Sequence, residues 1–465
     1  MREKLRNIPR LVIAGTQSGV GKTTLTAGLI RTLRDQGLVV QPFKVGPDYI
    51  DPSFHSQAAG RQAHNLDSWL VGSEQIPELF ASACEGADIA IIEGVMGLFD
   101  GGKDGRSSTA EIARILKAPI LLVHNCQSAG ESAGVSILGF YHYQPDLAPA
   151  GVILNRLGST THGEMIRTPL EERGVLVLAE VPRKPQLGLE ERHLGLVPAA
   201  EENPEPIIEE AAKVVQEHFK LDEILKIAKN VEELTVFSGV SLGKKFEGIK
   251  IGIAKDEAFS FEYPASFEIL EKLGAQLIYF SPIHDSMLPQ VDGLIFGGGF
   301  PELFLPDLSK NTEMIEAIRS FQQEKRPIWA ECGGFLYLCE SLTDLTGEEF
   351  PLVGLIPAKT EMTGKLQAVG YVKATALADL LLLEKGQTAQ GHHFHFSQMK
   401  PLIEDFPWAF SLVGRKGEVL DGYYQESLTA SYLHIHLLGN PQIGERFLRI
   451  CKERRESIAL GSGEK

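Results

Sequence analysis

Two stretches of this 465-residue chain put reactive side chains at chemically useful spacings. The first runs Gly15-Thr16-Gln17-Ser18-Gly19-Val20-Gly21-Lys22-Thr23-Thr24. A glycine-rich turn that leaves a strand and opens a helix presents backbone N–H groups and a helix dipole to phosphate oxygens. Gly19, Gly21 and Thr24 belong to that cradle. Lys22 reaches the β- and γ-phosphates of a nucleotide, and the Thr23 hydroxyl falls on Mg²⁺. The spacing departs from GxxxxGK[ST]: the first glycine comes one residue early, and Thr16 stands in its place. An ordinary strand–helix turn is the bland alternative, and the Gly-Lys-Thr-Thr ending argues against it.

The second stretch is Ala330-Glu331-Cys332-Gly333-Gly334-Phe335-Leu336-Tyr337. It follows a strand and opens a helical pattern, so Cys332 sits on a sharp turn where a nucleophile meets its substrate. The helix N-terminus is expected to lower the thiol pKa. Gly297-Gly298-Gly299 after another strand, with the amide of Gly333, suggests oxyanion donors at Gly298, Gly299 and Gly333. The base must come from far along the chain. His434 and His436 stand two apart on a strand and face the same way, which leaves both as candidates. Cys339, seven residues after Cys332 inside the helical pattern, reads as core. His392, His393 and His395 are of metal-binding type, but no acid or cysteine adjoins them; a packed or substrate-facing loop is the expectation.

Acidic groups complete the first constellation. Phe43-Lys44-Val45-Gly46-Pro47-Asp48-Tyr49-Ile50-Asp51 and Ile92-Glu93-Gly94-Val95-Met96-Gly97-Leu98-Phe99-Asp100 both follow strands. Ligands of an open parallel sheet gather at the carboxyl ends of strands. Mg²⁺ takes oxygen from one or two carboxylates plus phosphate and water, so Asp48 and Glu93 are the expected partners of Thr23. Lys44 can neutralise phosphate or a substrate carboxylate. Asp51 and Asp100 are weaker candidates.

The elements that must position these groups alternate through both halves. The runs at 11–16, 39–46, 89–94, 119–124 and 150–156 read as buried parallel strands, and residues 23–35 carry apolar side chains at helical spacing. A doubly wound α/β sheet follows. A second series begins at 249–256, continues at 275–281, 293–299 and 326–332, and closes at 431–437. The expected division is a P-loop domain over 1–200, a helical connection over 201–247, a second α/β domain over 248–445 and a tail over 446–465.

The net charge of −16 argues against nucleic acid or an anionic membrane as the main partner. No apolar run approaches the roughly 18 residues needed to cross a bilayer. Five scattered cysteines without a CxxC pair suit a reducing cytoplasm.

Taken in order, GTQSGVGKTT, FKVGPDYIDP with His55 downstream, NLDSW, EGVMGLFDG, GGGFPE, AECGGFLYL and SYLHIHLLGNP resemble one family over nearly the whole chain. It is the cobyrinic acid a,c-diamide synthase family of cobalamin-type glutamine amidotransferases. The phosphate loop is similar to that of dethiobiotin synthetase; partitioning ATPases carry a signature lysine where this chain has Gln17. The resemblance implies a P-loop parallel-sheet domain plus a class I glutaminase-like α/β domain. It implies ATP–Mg²⁺-dependent phosphorylation of the a- and c-acetates of a corrinoid, then amidation by ammonia drawn from glutamine. By position, Lys22, Thr23, Asp48 and Glu93 would handle ATP and metal, Asp100 the phosphorylated intermediate, and Asn155 the adenine. Cys332 would carry the glutamyl thioester. The chain departs from the family at His393 and Phe396, where GHEFHYS is usual. No acid stands two residues after either candidate histidine, so nothing in the sequence says what orients the base.

The expected partners are therefore a tetrapyrrole polycarboxylate, glutamine and ATP, with a homodimer as the candidate assembly. The same chemistry on nickel-sirohydrochlorin or hydrogenobyrinate is the near alternative. A partitioning-like ATPase with a non-catalytic binding domain is the remote one.

Overall fold

The computed structural model describes residues 3–102, 105–183, 191–192, 195–196, 203–237 and 243–461. The chain divides into two compact units, Met1–Val240 and Ser241–Lys465.

In the first unit the described residues build a seven-stranded parallel sheet. Its strands are β1 (Arg10–Gly15), β2 (Val40–Val45), β3 (His64–Leu66), β4 (Ile89–Glu93), β5 (Ile120–Asn125), β6 (Gly151–Leu157) and β7 (Val177–Pro182). Their order across the sheet is β3-β2-β4-β1-β5-β6-β7. Four of the strands are buried along their whole length, as a parallel sheet covered on both faces requires. Because β1 lies between β4 and β5, the loop after β1 opens beside the ends of β4 and β2. Helix α1 (Lys22–Asp35) leaves that loop and buries Leu25, Leu29, Ile30 and Leu33 against the sheet.

Helix α2 (Asp51–Ala59) starts with Pro52 in its first turn, where the missing N–H costs nothing. Helix α3 (Glu205–His218) falls in the stretch whose composition suggests a connection between halves. Its Ile208, Val214 and Val215 join the core of the first unit, and Thr32 of α1 donates to Ala212 O at 3.2 Å. An amphipathic helix with so apolar a face gains more by burial than by bridging through water.

The second unit has a ten-stranded mixed sheet among the described residues. Its strands are β8 (Lys250–Ala254), β9 (Gln276–Phe280), β10 (Gly293–Phe296), β11 (Ile328–Glu331), β12 (Ala368–Ala376), β13 (Thr388–His395), β14 (Trp408–Gly414), β15 (Gly417–Gln425), β16 (Leu428–Ser431) and β17 (Leu433–Ile435). They run in the order β9-β8-β10-β11-β16-β15-β14-β12-β13-β17. The first five are parallel and the rest antiparallel. The sheet curls, so β17 follows β16 by one residue yet pairs with β13 at the far end of the strand order. The single run expected at 431–437 is thus split between two strands. Helix α4 (Gly333–Leu338) follows β11. Residues expected as a tail form helix α5 (Pro441–Gly461), whose Phe447, Leu448 and Cys451 are fully buried in the core of this unit.

Candidate active sites

In the first unit, Gly19 and Gly21 both adopt positive φ, +72° and +92°. Gly21 also has no room for a side chain: a Cβ there would lie 2.6 Å from Asn155 Nδ2. Asn155, at the end of β6, donates to Val20 O at 2.7 Å and so braces the phosphate loop from outside. Lys22 Nζ lies 2.7 Å from Met96 O and 3.3 Å from Gln17 O, spanning the loop toward the end of β4. Burial lowers the Lys22 pKa, with Glu93 opposing that shift. Thr24 lies in the first turn of α1.

The ends of β1, β2 and β4 bring Thr23, Lys44 and Glu93 together. Thr23 Oγ1 lies 2.8 Å from Glu93 Oε1 and 3.2 Å from Asp51 Oδ2. Lys44 Nζ pairs with Glu93 Oε1 at 3.0 Å, with Asp48 Oδ2 at 3.7 Å, and more closely with Asp51. His55, one helical turn after Asp51 on α2, bonds Glu93 Oε2, and both side chains are fully buried. Burial alone would depress Lys44, but Asp51, Glu93 and Asp48 hold it above the ordinary lysine value. Burial likewise works against ionised Glu93, yet Lys44, His55 and Lys22 keep it far below the carboxylate range. Burial and the neighbouring Asp48 push Asp51 up to about 7.

Asp51 therefore stands closer to Thr23 and Lys44 than its weak sequence signal suggests. Asp48 both faces Lys44 and caps the following turn, its Oδ1 accepting from the N–H of Ile50 and of Asp51. Asp100 accepts from Gly97 N at 2.9 Å and is felt by Lys22. His55 is the partner missed in the sequence; its i, i+4 spacing from Asp51 was the available signal. Thr23 Oγ1 contacts carboxylate oxygens of Glu93 and Asp51, with Lys44 Nζ paired to both acids; the oxygens are of the type Mg²⁺ takes together with phosphates and water. Among the described residues, no group of three or more histidine, cysteine, aspartate or glutamate side chains is placed to hold a metal ion by itself.

In the second unit, Cys332 has φ +46°, a strained conformation for a non-glycine residue. It lies between β11 and α4, with its N–H donating to Ser431 O at 2.8 Å and its Sγ 3.5 Å from Phe394 O. The thiol pKa is not lowered as expected. Burial, with Glu302 adding to it, pushes the thiol up, and the Gly333 amide offsets only part of that. α4 is only six residues long, so its dipole is weak against near-complete desolvation.

The loop after β10 underlies both the elbow and the candidate base. A Cβ on Gly333 would meet Gly299 N at 2.9 Å, and one on Gly298 would meet His434 Cε1 at 2.6 Å. Only glycine lets these segments approach so closely. The Gly298 N–H already donates to Phe261 O at 3.2 Å, which removes it from the expected oxyanion donors. Gly298 instead leaves room for the histidine ring; Gly299 and Gly333 remain candidate donors, the Gly333 amide bonding the Cys332 sulfur in this structure.

His434 and His436 share a strand direction but not an environment. His434 is buried, its Nδ1 lies 3.7 Å from Glu331 Oε2, and burial lowers its pKa to about 3. His436 Nδ1 accepts from Leu438 N at 3.2 Å, and its ring packs on Tyr263 at 4.8 Å. The histidines at 392, 393 and 395 lie on strand β13 and not on a loop. His393 Nε2 faces Asp421 Oδ1 at 3.9 Å, and burial raises Asp421 to about 7. Cys339 is wholly buried and donates to Phe335 O.

Both units match families of known proteins. A CobQ/CobB/MinD/ParA nucleotide binding domain covers residues 11–197, and a CobB/CobQ-like glutamine amidotransferase domain covers residues 250–442. A cobyrinate a,c-diamide synthase of Archaeoglobus fulgidus is 41% identical over 461 residues, 97% of this chain and 99% of its own. One of Thermoplasma volcanium is 42% identical over 451 residues, 96% of this chain and 97% of its own. One of Priestia megaterium is 37% identical over 458 residues, 97% and 99% respectively. A solved glutamine amidotransferase, 17% identical and covering 43% of this chain and 98% of its own, superposes with a TM-score of 0.32, too low to carry an argument.

Proposed function

The chain belongs to the cobyrinate a,c-diamide synthase family, and from that membership we propose that it amidates the a- and c-acetate carboxylates of cobyrinate through acyl-phosphate intermediates. As a member it is a glutamine-hydrolysing carbon–nitrogen ligase with an ATP-binding domain. The observation that carries the finer reading is Cys332 at φ +46° beside the loop that also seats His434.

A carboxylate is a poor electrophile. In the first unit a substrate carboxylate oxygen attacks the γ-phosphorus of ATP, and ADP leaves. Ammonia then attacks the acyl carbon, and phosphate leaves. Lys22 and the phosphate loop hold the nucleotide, with Asn155 at its base and Lys44 beside the transferred group. Asp100, on the loop that follows β4, steadies the intermediate. Thr23, Glu93, Asp51 and Asp48 are the residues that would hold Mg²⁺, which supplies charge neutralisation to the phosphates when bound.

Free ammonia is scarce at neutral pH because most of it is protonated. In the second unit the Cys332 thiolate attacks the glutamine side-chain carbonyl. The thiol proton passes to His434 and on to the leaving ammonia, and water then releases glutamate from the thioester. Gly299 and Gly333 face the developing oxyanion.

Cys332→Ala is expected to cut glutamine-dependent amidation by about 10³-fold or more while sparing reaction with high ammonium. Equal loss with both nitrogen sources would sink the two-site scheme. Substrate identity is tested by mass spectrometry of products from cobyrinate, hydrogenobyrinate and nickel-sirohydrochlorin with ATP and glutamine. Two acid-to-amide mass steps on cobyrinate alone are expected, and their absence overturns that assignment.

A further inference from the structure

We propose that Glu331, the residue immediately before the nucleophile, is the positioning residue that holds and charges His434. The inference rests on the reading of Cys332 and His434 given above. A base that takes a thiol proton needs its other ring nitrogen held by an acceptor, which fixes the tautomer and favours the imidazolium. No acid follows His434 on its own strand at the useful spacing. Glu331 supplies one from the neighbouring segment instead.

The geometry is specific. Glu331 ends β11 and His434 lies at the centre of β17, strands that are not neighbours in the sheet. Glu331 Oε1 accepts from Ile435 N at 3.2 Å, and the side chain of Trp329 also bonds the carboxyl. Its Oε2 lies 3.7 Å from His434 Nδ1. That is an ion-pair distance, of the kind that tightens when substrate closes a catalytic site. The ring's opposite edge is set by Gly298, where a Cβ would lie 2.6 Å from Cε1. The imidazole is thus clamped between a glycine and a carboxylate.

The other charged groups near the pair do not fill this place. Asp421 faces His393. Glu302, Glu331 and Asp421 are all felt by Cys332, and each acts directly against its thiolate. Burial lowers the pKa of His392, His393 and His395, and a charge on His434 would lower each further, so all three stand neutral beside it. Glu331 is set apart by facing the His434 ring; it favours the thiolate–imidazolium pair because its hold on the imidazolium outweighs its direct opposition to the thiolate. Burial holds Glu331 up near 8 while His434 is neutral; an imidazolium beside it pulls the carboxyl back toward ionisation.

The test is Glu331→Gln, which keeps an acceptor for Ile435 and removes the charge. In the intact enzyme, kcat for glutamine hydrolysis should fall roughly 100-fold or more with KM little changed. Alkylation of Cys332 by iodoacetamide, followed by peptide mass spectrometry, should move to higher pH, because the lost support of the imidazolium outweighs the relief of Glu331's direct opposition to the thiolate, and should regain the parent rate at the alkaline end. Loss of reactivity by the same factor at every pH, or an unmoved profile, overturns the proposal. If the Gln variant does not fold, Glu331→Asp draws the carboxylate back by one methylene and should shift the profile in the same direction by less; no shift overturns the proposal there too. Cys332→Ala run in parallel separates the two failures: persistent glutamine hydrolysis in that variant defeats the Cys332 reading itself.

Discussion

The two candidate sites bury comparable amounts of ionisable chemistry and manage it in opposite ways. Around Thr23 the central pair is already charged: Lys44 is held above its ordinary pKa and Glu93 below its own, each by the other and by Asp51 or His55, while Asp51 is pushed up to about 7. Around Cys332 burial keeps the groups neutral. The thiol is pushed up, Glu331 and Asp421 rise to about 8 and about 7, and His392, His393 and His434 fall to about 3. The difference follows from the reactants. A nucleotide polyphosphate arrives charged, so a preformed set of charges can receive it without reorganising. Glutamine's reacting amide arrives neutral, and the charge separates only when the thiol gives up its proton.

The largest effect that would break this contrast is expected at Lys44. Lys44→Met removes a cation paired with three carboxylates and leaves Glu93 buried with less compensation. Breaking such a pair costs about 3–5 kcal/mol, read as a lower denaturation midpoint. Amidation should fall by about 10³-fold with glutamine and with ammonium alike, since the loss is of phosphoryl-transfer positioning. A variant that loses glutamine use alone would mean that Lys44 serves the other site.

How much of this was legible in the sequence depends on whether a contact is local. The phosphate loop and the Cys332 elbow are contiguous, so glycine spacing and flanking apolar runs reveal them. The parallel strands read well because both faces are buried; β3, three residues long, and β7 were passed over, the first for want of length. In the antiparallel half of the second unit only β17, within the run at 431–437, was read as a strand, and β12 to β15 were not. Strand β13, for example, reads Thr-Ala-Gln-Gly-His-His-Phe-His, which carries too few apolar side chains to announce a strand. The set of Thr23, Lys44, Asp51, His55 and Glu93 is drawn from α1, β2, α2 and β4, and only the sheet order β2-β4-β1 brings it together. Glu331 was hidden for the same reason. An acid sought two residues beyond a histidine assumes one strand, whereas the curl of the sheet supplies it from another.

An intermediate effect tests the neutrality of the second site. Asp421 is buried, and its pKa is raised from 3.8 to about 7 by burial. A group raised on folding binds its proton more tightly in the native state. Its ionisation therefore costs stability as pH rises from its unfolded value through about 7, and costs nothing below both. Asp421→Asn should gain on the parent protein by about 2–4 kcal/mol between pH 5 and pH 8, visible as thermal midpoints that diverge with rising pH. Glu93 has the opposite sign: depressed on folding, it stabilises above its unfolded value and loses that contribution only as pH falls through its low folded value. Midpoints that diverge instead toward acid in Asp421→Asn would show that Asp421 is paired as an ion, and the contrast between the sites would fail there.

The smallest effect is expected at His436, and it sharpens the assignment of the base. His436 spends Nδ1 on the Leu438 N–H and lays its ring on Tyr263, both structural contacts. Phenylalanine can keep the ring packing and forfeits one hydrogen bond, a loss of about 1 kcal/mol in stability. Glutamine hydrolysis by His436→Phe should then stay within about threefold of the parent, whereas His434→Ala should lose about 10²–10⁴-fold, the usual span for a general base. The pair of variants is informative because the two histidines lie two residues apart on one strand direction and are equally buried, so exposure cannot separate them. What separates them is the partner of Nδ1: a backbone N–H consumes it as an acceptor in His436, and Glu331 lies opposite it in His434. An acceptor Nδ1 forces the remaining proton of a neutral ring onto Nε2, which leaves His436 without a lone pair to receive a thiol proton. Reversal of the two kinetic outcomes would therefore require His436 to exchange its backbone contact during turnover, and would move the base two residues along the strand.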